Sequence, residues 1–391
     1  MIATVATYLP QWIAEGRRCA GPDEDALTMA VAAGRAALED GSANDVRKVV
    51  IVTRDLPLLE GGNAPALLAG LGLSDRVEVV ERVGGAPATL DALAEASEYS
   101  LVVGTDVSGA AGAGAAWTSS VGGGLTALTR VQRSLPLRVR GQDGAVHEDD
   151  DPRLQRERGL RVSLGAAGLP GKPVVLAGLS DREAAAWCEG NPPGLPTLGA
   201  SAPLFALAAL AERGAGGIVA AVEQATVSAV HWEPAGVIVR RDERAARELP
   251  RRRLSPGPEI KIAFTAYDRA FDAKLRWQAG QCPSCATLAF PPRLRCLGCG
   301  HEGDTVLVPL PRTGTVYTTT TIHVPVPGLA SPYALAVVQL DGVDVRALVP
   351  VTDCTPGAAD IDARGRLVFR RLTVRSGVPD YGYAFVPEVV D

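Results

Sequence analysis

Four of the seven cysteines lie in one short stretch, QCPSCATLAFPPRLRCLGCGH, from Gln281 to His301. Cys282 and Cys285 form one Cys-x-x-Cys knuckle, Cys296 and Cys299 the other, and ten residues separate the two pairs. Two tight turns that present four thiolates make the tetrahedral sulfur cage Zn²⁺ prefers, and a full set of four protein ligands leaves no position for water or substrate. The spacing therefore predicts a structural metal site with Zn²⁺ as the expected ion. A rubredoxin-type iron site and metal-free thiols are the alternatives. His301 adjoins the second knuckle but is not required as a ligand. Cys19, Cys188 and Cys354 stand alone in the sequence and read as small buried side chains rather than nucleophiles.

The elements around the cysteines fall into two styles. Over residues 1–245, short β-branched runs alternate with Ala/Leu-rich helical patterns, the signature of a layered α/β architecture. RKVVIVTRD, RVEVVE, SLVVGTD, KPVVLAGLS and GGIVAAVEQ read as buried strands. DEDALTMAVAAGRAALEDG reads as a helix whose acidic start suits its dipole and whose stop is Gly41. APATLDALAEASEY reads as another, and SAPLFALAALAERG, apolar nearly all round, reads as a helix buried between layers with Ser201 as its cap. The polar stretch from Arg130 to Gly165 is expected outside the core. RRDERAARELPRRRLSPGP, from Arg240 to Pro258, reads as a solvated connector in which Arg251, Arg252 and Arg253 bind nothing. AYDRAFDAKLRW is then a short amphipathic helix leading into the knuckles. From Asp304 on, strands and turns dominate, with an Asp341-Gly342 hairpin signal, in a length that suits a small OB-type barrel. The expected domains are residues 1–245, a linker at 246–265, a ribbon with its leading helix at 266–303 and a barrel at 304–391.

Composition narrows the function class. A chain of 391 residues exceeds one ordinary core, and 47% hydrophobic residues with 43 glycines fit a folded α/β protein rather than a disordered one. The net charge of -5 gives no electrostatic reason to bind a polyanion, so nucleic acid is not an expected partner. The N-terminal residues lack a signal-peptide pattern, and no stretch of about 18 apolar residues suggests a membrane span. The expected location is the cytoplasm, where paired cysteines hold metals more readily than they form disulfides.

Two resemblances sharpen this. CPSCATLAFPPRLRCLGCG followed by TGTVYTTTTIHV and YALAVVQLDG resembles the zinc-ribbon and OB-fold proteins that accompany thiolases, over about Asp268 to Pro387. That resemblance implies an accessory module that docks on a thiolase-fold partner and helps shape an acyl-CoA site. The N-terminal part resembles the thiolase superfamily, nearest to 3-hydroxy-3-methylglutaryl-CoA synthase-like chains, through YLP, NAPALLAGLGL, LVVGTD, GAGAA and GASAPLFALAAL in that order. Such enzymes use a Cys nucleophile at a helix N-terminus with His and Asn groups that stabilise an enolate or oxyanion. Carried onto this chain, the nucleophile position falls at Val83, the His position at Gly178 and the Asn position at Thr197. None of the three can do the chemistry. Asn191 is displaced from the Asn position, and neither Cys188 nor His231 has a recognisable base or orienting partner beside it in the sequence.

The reading is a degenerate thiolase-like domain fused to a zinc-ribbon/OB module, acting as a non-catalytic subunit. A partner thiolase would supply Cys and His for carbon-carbon bond formation or cleavage in a 3-oxoacyl-CoA. The alternative is a self-sufficient acyl-CoA acyltransferase, or a synthase of the same superfamily, with unorthodox residues. A ribbon-barrel adaptor for nucleic acid is a third class, which would need a basic groove with stacking aromatics.

Overall fold

The computed structural model describes residues 1–59, 61–149, 151–250, 252–255, 261–324 and 329–388. The chain forms two compact units. The first comprises Met1–Ala20, Met29–Ala64 and Arg76–Ala246, and the second Gly21–Thr28, Pro65–Asp75 and Arg247–Asp391.

Two sheets build the first unit. Glu78–Val83, Lys48–Thr53 and Ser100–Asp106 lie side by side and parallel, as strands joined through helices must. The six-stranded sheet continues through Gly112–Thr118 and Ile2–Leu9 to Ile238–Glu243 at its other edge. The second sheet has four strands in the order Val175–Ala177, Gly217–Glu223, Thr226–Glu233, Gly124–Gln132. Two helices, Ala86–Ala94 and Ala202–Glu212, touch strands of both sheets and so lie between them. The second of these buries Leu204, Phe205, Leu207 and Leu210, which point in different directions around its axis, because both of its sides meet apolar layers. Val102 from the first sheet, Leu90 and Leu204 from the helices, and Val219 and Trp232 from the second sheet share one continuous core.

Two sequence expectations change here. The polar stretch after Arg130 is not wholly outside the core: Gly124–Gln132 is a strand of the second sheet, and Leu160 and Ala167 are buried with Leu176 and Val227. Spaced apolar residues were hidden there among many charges. The charged run beginning at Arg240 also starts inside a strand, Ile238–Glu243, which pairs parallel to Ile2–Leu9. Arg240 is held by Glu39 and Asp40, and Arg241 by Glu212 at 2.7 Å, so charge is accommodated at a sheet edge by ion pairs rather than by solvent alone. Of the arginine run Arg251–Arg253, the first lies outside the described residues, as do 256–260.

In the second unit the helix Phe264–Leu275 precedes a three-stranded ribbon sheet of Leu288–Ala289, Gln278–Gln281 and Val306–Pro309. Five strands then close a barrel: Thr313–Ile322, Tyr333–Leu340, Arg346–Val351, Val378–Pro387 and Arg364–Arg375 in order around it. Strict alternation puts Ala334, Ala336, Val338 and Leu340 inside. Asp341-Gly342 forms the expected turn, with Gly342 at φ 71°. Trp277 joins ribbon to barrel, its ring centroid 4.7 Å from Phe290 of the Phe-Pro-Pro-Arg stretch and 4.9 Å from Tyr383 of the barrel.

Leu204 is fully buried at the centre of the first unit. Leu204→Ala is expected to lower the unfolding free energy by about 3 kcal/mol, the cost of lost burial plus a cavity, as read by denaturant titration. A change within about 0.5 kcal/mol would mean that the two sheets are not joined through this helix.

Candidate functional site

The four cysteines converge. Their Sγ atoms all lie within 4.8 Å of one another, with Cys282 3.7 Å from Cys299 and Cys285 3.5 Å from Cys296. Zn–S bonds of about 2.3 Å would give a regular tetrahedron with edges of roughly 3.8 Å, so the spacing fits four ligands on one ion. The two knuckles are built alike. In the first, Cys282 N–H donates to Thr287 O at 3.0 Å and Ala286 N–H to Cys282 O at 2.9 Å. In the second, Cys296 N–H donates to His301 O at 2.8 Å and Gly300 N–H to Cys296 O at 3.1 Å. Each turn closes through a residue in the left-handed region, Ala286 at φ 59° and Gly300 at φ 76°. His301 thus serves through its carbonyl and stays outside the sulfur cage.

Electrostatics argue for a cation among these sulfurs. The Thr287 hydroxyl, 3.1 Å from Cys285 Sγ, is the largest influence drawing that thiol down to about 6. Cys299 is pushed up to about 12: the backbone N–H of His301 favours its thiolate, but Cys285 and the other two sulfurs together outweigh that. Four clustered thiolates cannot all ionise without a counter-charge, and a divalent ion supplies one.

In the first unit, the three positions expected to carry reaction chemistry hold none. Val83 is the last residue of its strand and 75% exposed; the chain turns through Gly84 and Gly85 into the helix Ala86–Ala94. In front of that turn, Arg54 from the end of a first-sheet strand pairs with Glu223 from the end of a second-sheet strand. A β-carbon on Gly85 would collide with this pair. Burial works against the Arg54 charge, yet the bond to Glu223 outweighs it and holds the guanidinium pKa above its ordinary value. Gly178 sits against Val222, the neighbour of Glu223, at φ 99°, and any β-carbon there would strike the Val222 carbonyl. The backbone thus excludes a histidine at this point.

Thr197 is fully buried, and its hydroxyl is 2.7 Å from that of Ser201. Ser201 occupies the cap position of Ala202–Glu212 but does not cap with its side chain, contrary to the sequence expectation. Its hydroxyl donates instead to Asp106 at 2.6 Å, and Asp106 also accepts Ala200 N–H at 2.7 Å and Ser201 N–H at 2.9 Å. A carboxylate from the strand Ser100–Asp106 has taken over the capping task. Burial raises the Asp106 pKa, against the opposing pull of these donors. Arg54, Glu223 and Asp106 could not be picked out from the sequence, because each partner lies about a hundred residues or more away along the chain.

The substitutes are equally quiet. Cys188 is buried beside Leu176 and Ala184, and burial pushes its thiol up. His231 pairs with the exposed Glu233 at 3.5 Å, and Asn191 is exposed in irregular chain. Cys354 is buried, whereas Cys19 is half-buried.

Comparison with known proteins matches residues 307–370 to the family described as ChsH2, C-terminal OB-fold domain. A DUF35 domain-containing scaffold protein of Methanocaldococcus jannaschii is 32% identical over 111 residues, covering 27% of this chain and 78% of the relative. The chain belongs to the DUF35 family. Among solved structures, the Ltp2-ChsH2(DUF35) aldolase is similar at 26% identity over 34% of this chain and 100% of that one, with a TM-score of 0.26. The 3-oxoacyl-[acyl-carrier-protein] synthase III of Aquifex aeolicus is similar at 18% identity over 59% of this chain and 99% of that one, TM-score 0.44. OleA of Xanthomonas campestris is similar at 17% identity, 56% and 83% coverage, TM-score 0.45. The chain joins an α/β lobe of two sheets to a DUF35 module of ribbon and barrel.

Two outcomes test the geometry. Purified protein is expected to carry one metal ion per chain by elemental mass spectrometry, and Cys285→Ser or Cys296→Ser to release it; full retention in both variants would contradict a four-sulfur cage. Gly178→Ala is expected to destabilise the protein by about 2 kcal/mol or more through forced backbone strain, whereas a neutral result in thermal unfolding would show that the turn can relax to admit a side chain.

Proposed function

We propose that this protein is a non-catalytic subunit of a thiolase-type complex acting on a 3-oxoacyl-CoA, with the reacting Cys and His supplied by a separate thiolase-fold chain. The observation that carries this is the occupied helix mouth in the first lobe. Where the family would need a thiol, there is an exposed valine and a glycine turn blocked by the Arg54–Glu223 pair; where it would need an imidazole, the backbone at Gly178 leaves no room for a side chain. Neither a thiol nor an imidazole stands at these positions, and the carboxylate at the helix mouth, Glu223, is tied to Arg54, so the family's acyl-transfer step cannot be assigned to them. The DUF35 module supports the same reading, since its Methanocaldococcus jannaschii relative is named a scaffold protein.

On this reading the cysteine cage holds Zn²⁺ as a structural cross-link that fixes the ribbon. The ribbon also displays a set of large apolar side chains: Leu294 is 82% exposed, Leu297 74%, Phe264 66% and Val306 58%. A small module that leaves this much apolar surface in water is suited to covering it with a partner. The acyl-CoA belongs to the complex as substrate, in the cytoplasm, and nucleic acid has no part. Phe369, Tyr381, Tyr383 and Phe385 are buried rather than offering stacking surfaces, and no described helix is long and apolar enough to cross a membrane.

The test is direct. The chain alone is expected neither to turn over acetoacetyl-CoA nor to form an acyl adduct on peptide mapping, whereas a co-purifying thiolase with an intact Cys does both. Enzyme-like turnover or a single acylated residue in the chain alone would instead establish the self-sufficient acyltransferase. Leu294→Asp with Leu297→Asp is expected to weaken that co-purification at least about tenfold while metal content stays at one per chain. Unchanged association would remove the ribbon surface from the interface.

A further inference from the structure

The second unit contains a cluster of buried charges that neither the metal cage nor the proposed complex uses. Arg370, on the barrel strand Arg364–Arg375, has a side chain only 2% exposed. Its guanidinium is 2.9 Å from Asp353 Oδ2 on the barrel, 3.4 Å from Glu24 Oε1 and 3.7 Å from Asp23 Oδ2. The next residue, Arg371, donates its backbone N–H to Asp23 O at 2.9 Å and its side chain to Pro22 O at 3.2 Å, and it faces Asp25 at 3.8 Å. Tyr381, on the neighbouring strand, donates its hydroxyl to Asp25 Oδ2 at 2.8 Å. The acids Asp23, Glu24 and Asp25 come from Gly21–Thr28, a piece of chain more than three hundred residues earlier that belongs to this same unit.

The arrangement is that of a receptor for an acidic turn, which Glu24 N–H closes on Gly21 O at 3.0 Å. One backbone N–H and one arginine read its main chain, a buried guanidinium reads two side-chain carboxylates, and a phenol reads a third. Asp353 holds Arg370 in place from the barrel side. Segment and receptor are also shaped for each other. Glu24 folds back to accept Gly21 N–H at 2.7 Å, and Asp25 Oδ1 caps the first turn of the following helix through Leu27 and Thr28 N–H at 3.0 Å each. Burial is the main influence raising the Asp23 carboxyl above its usual range, against the pull of Arg370, so the site gathers acids even where burial penalises them. A buried arginine with several acids adds little as plain stabilisation but is selective in what it accepts, since a neutral or basic segment would leave it with Asp353 alone of its three carboxylate partners.

We propose that Arg370, Arg371 and Tyr381 form a binding site on the DUF35 barrel for an acidic Asp-Glu-Asp peptide segment, filled in this protein by its own Pro22–Asp25. The site is specific for acidic sequence and does not require covalent linkage to its occupant. When the tethered segment is neutralised, the vacated surface takes up the same sequence from solution.

The test uses the full chain. A fluorescent peptide of residues 20–29 is titrated into the wild type, into the triple variant Asp23→Asn, Glu24→Gln, Asp25→Asn, and into that triple variant carrying Arg370→Gln. Metal content and circular dichroism confirm the fold of each. Binding is expected to the triple variant, to be undetectable in the wild type, where the tethered segment competes, and to fall at least about tenfold when Arg370 is also replaced, the loss expected for charge-assisted bonds. A folded triple variant that binds the peptide no better than wild type, or as well without Arg370, overturns the proposal. Should the triple variant not fold, Glu24→Gln alone is followed by hydrogen exchange. Faster exchange of the Gly21–Thr28 amides, by at least about tenfold relative to the ribbon amides, supports the site, and unchanged exchange overturns it.

Discussion

The burial of two helices between two sheets governs the first lobe. Ala86–Ala94 and Ala202–Glu212 have apolar neighbours on both sides, so each helix start must be satisfied at the sheet ends and cannot be left to solvent. At these starts Asp106 caps one helix, and Arg54 with Glu223 bridges the two sheets in front of the other. A helix N-terminus attracts negative charge in either case, and a fixed carboxylate satisfies it permanently.

At both helix starts the side chains satisfy one another. The Thr197–Ser201–Asp106 chain of hydrogen bonds is fully occupied, so no hydroxyl in it is free to attack a substrate. Gly178 shows the same economy from the backbone side. Its left-handed conformation lets the chain pass close to Val222, and the close approach removes the space a side chain would need.

In the second unit, order comes from two polar constellations that surround a small apolar interior. Four sulfurs at the end of paired turns fix the ribbon, and Trp277 packs at a tilt against both Phe290 of the ribbon and Tyr383 of the barrel. At the barrel itself, a buried guanidinium selects an acidic stretch from far up the chain. The buried charges exchange solvation for directed contacts, which adds little net stability but leaves little freedom to form any other arrangement.

The sequence alone determined much of this. Cys-x-x-Cys spacing is local, so the cage and its four ligands were legible from Cys282 to Cys299. Strands such as Lys48–Thr53 and Ser100–Asp106, and the apolar helix Ala202–Glu212, announced themselves because periodicity and composition act within a few residues. The acids at the start of the first helix were read as partners of its dipole, and Asp25 does cap it; that Asp23 and Glu24 answer to Arg370 was invisible, since the pairing spans more than three hundred residues. The same limit hid the Arg54–Glu223 bridge, moved the capping of Ala202–Glu212 from Ser201 to Asp106, and placed Arg240 and Arg241 in a strand rather than a connector. Local patterns encode elements and chelating turns; which charge meets which is decided only when the folded chain brings distant strand ends together and removes the water between them.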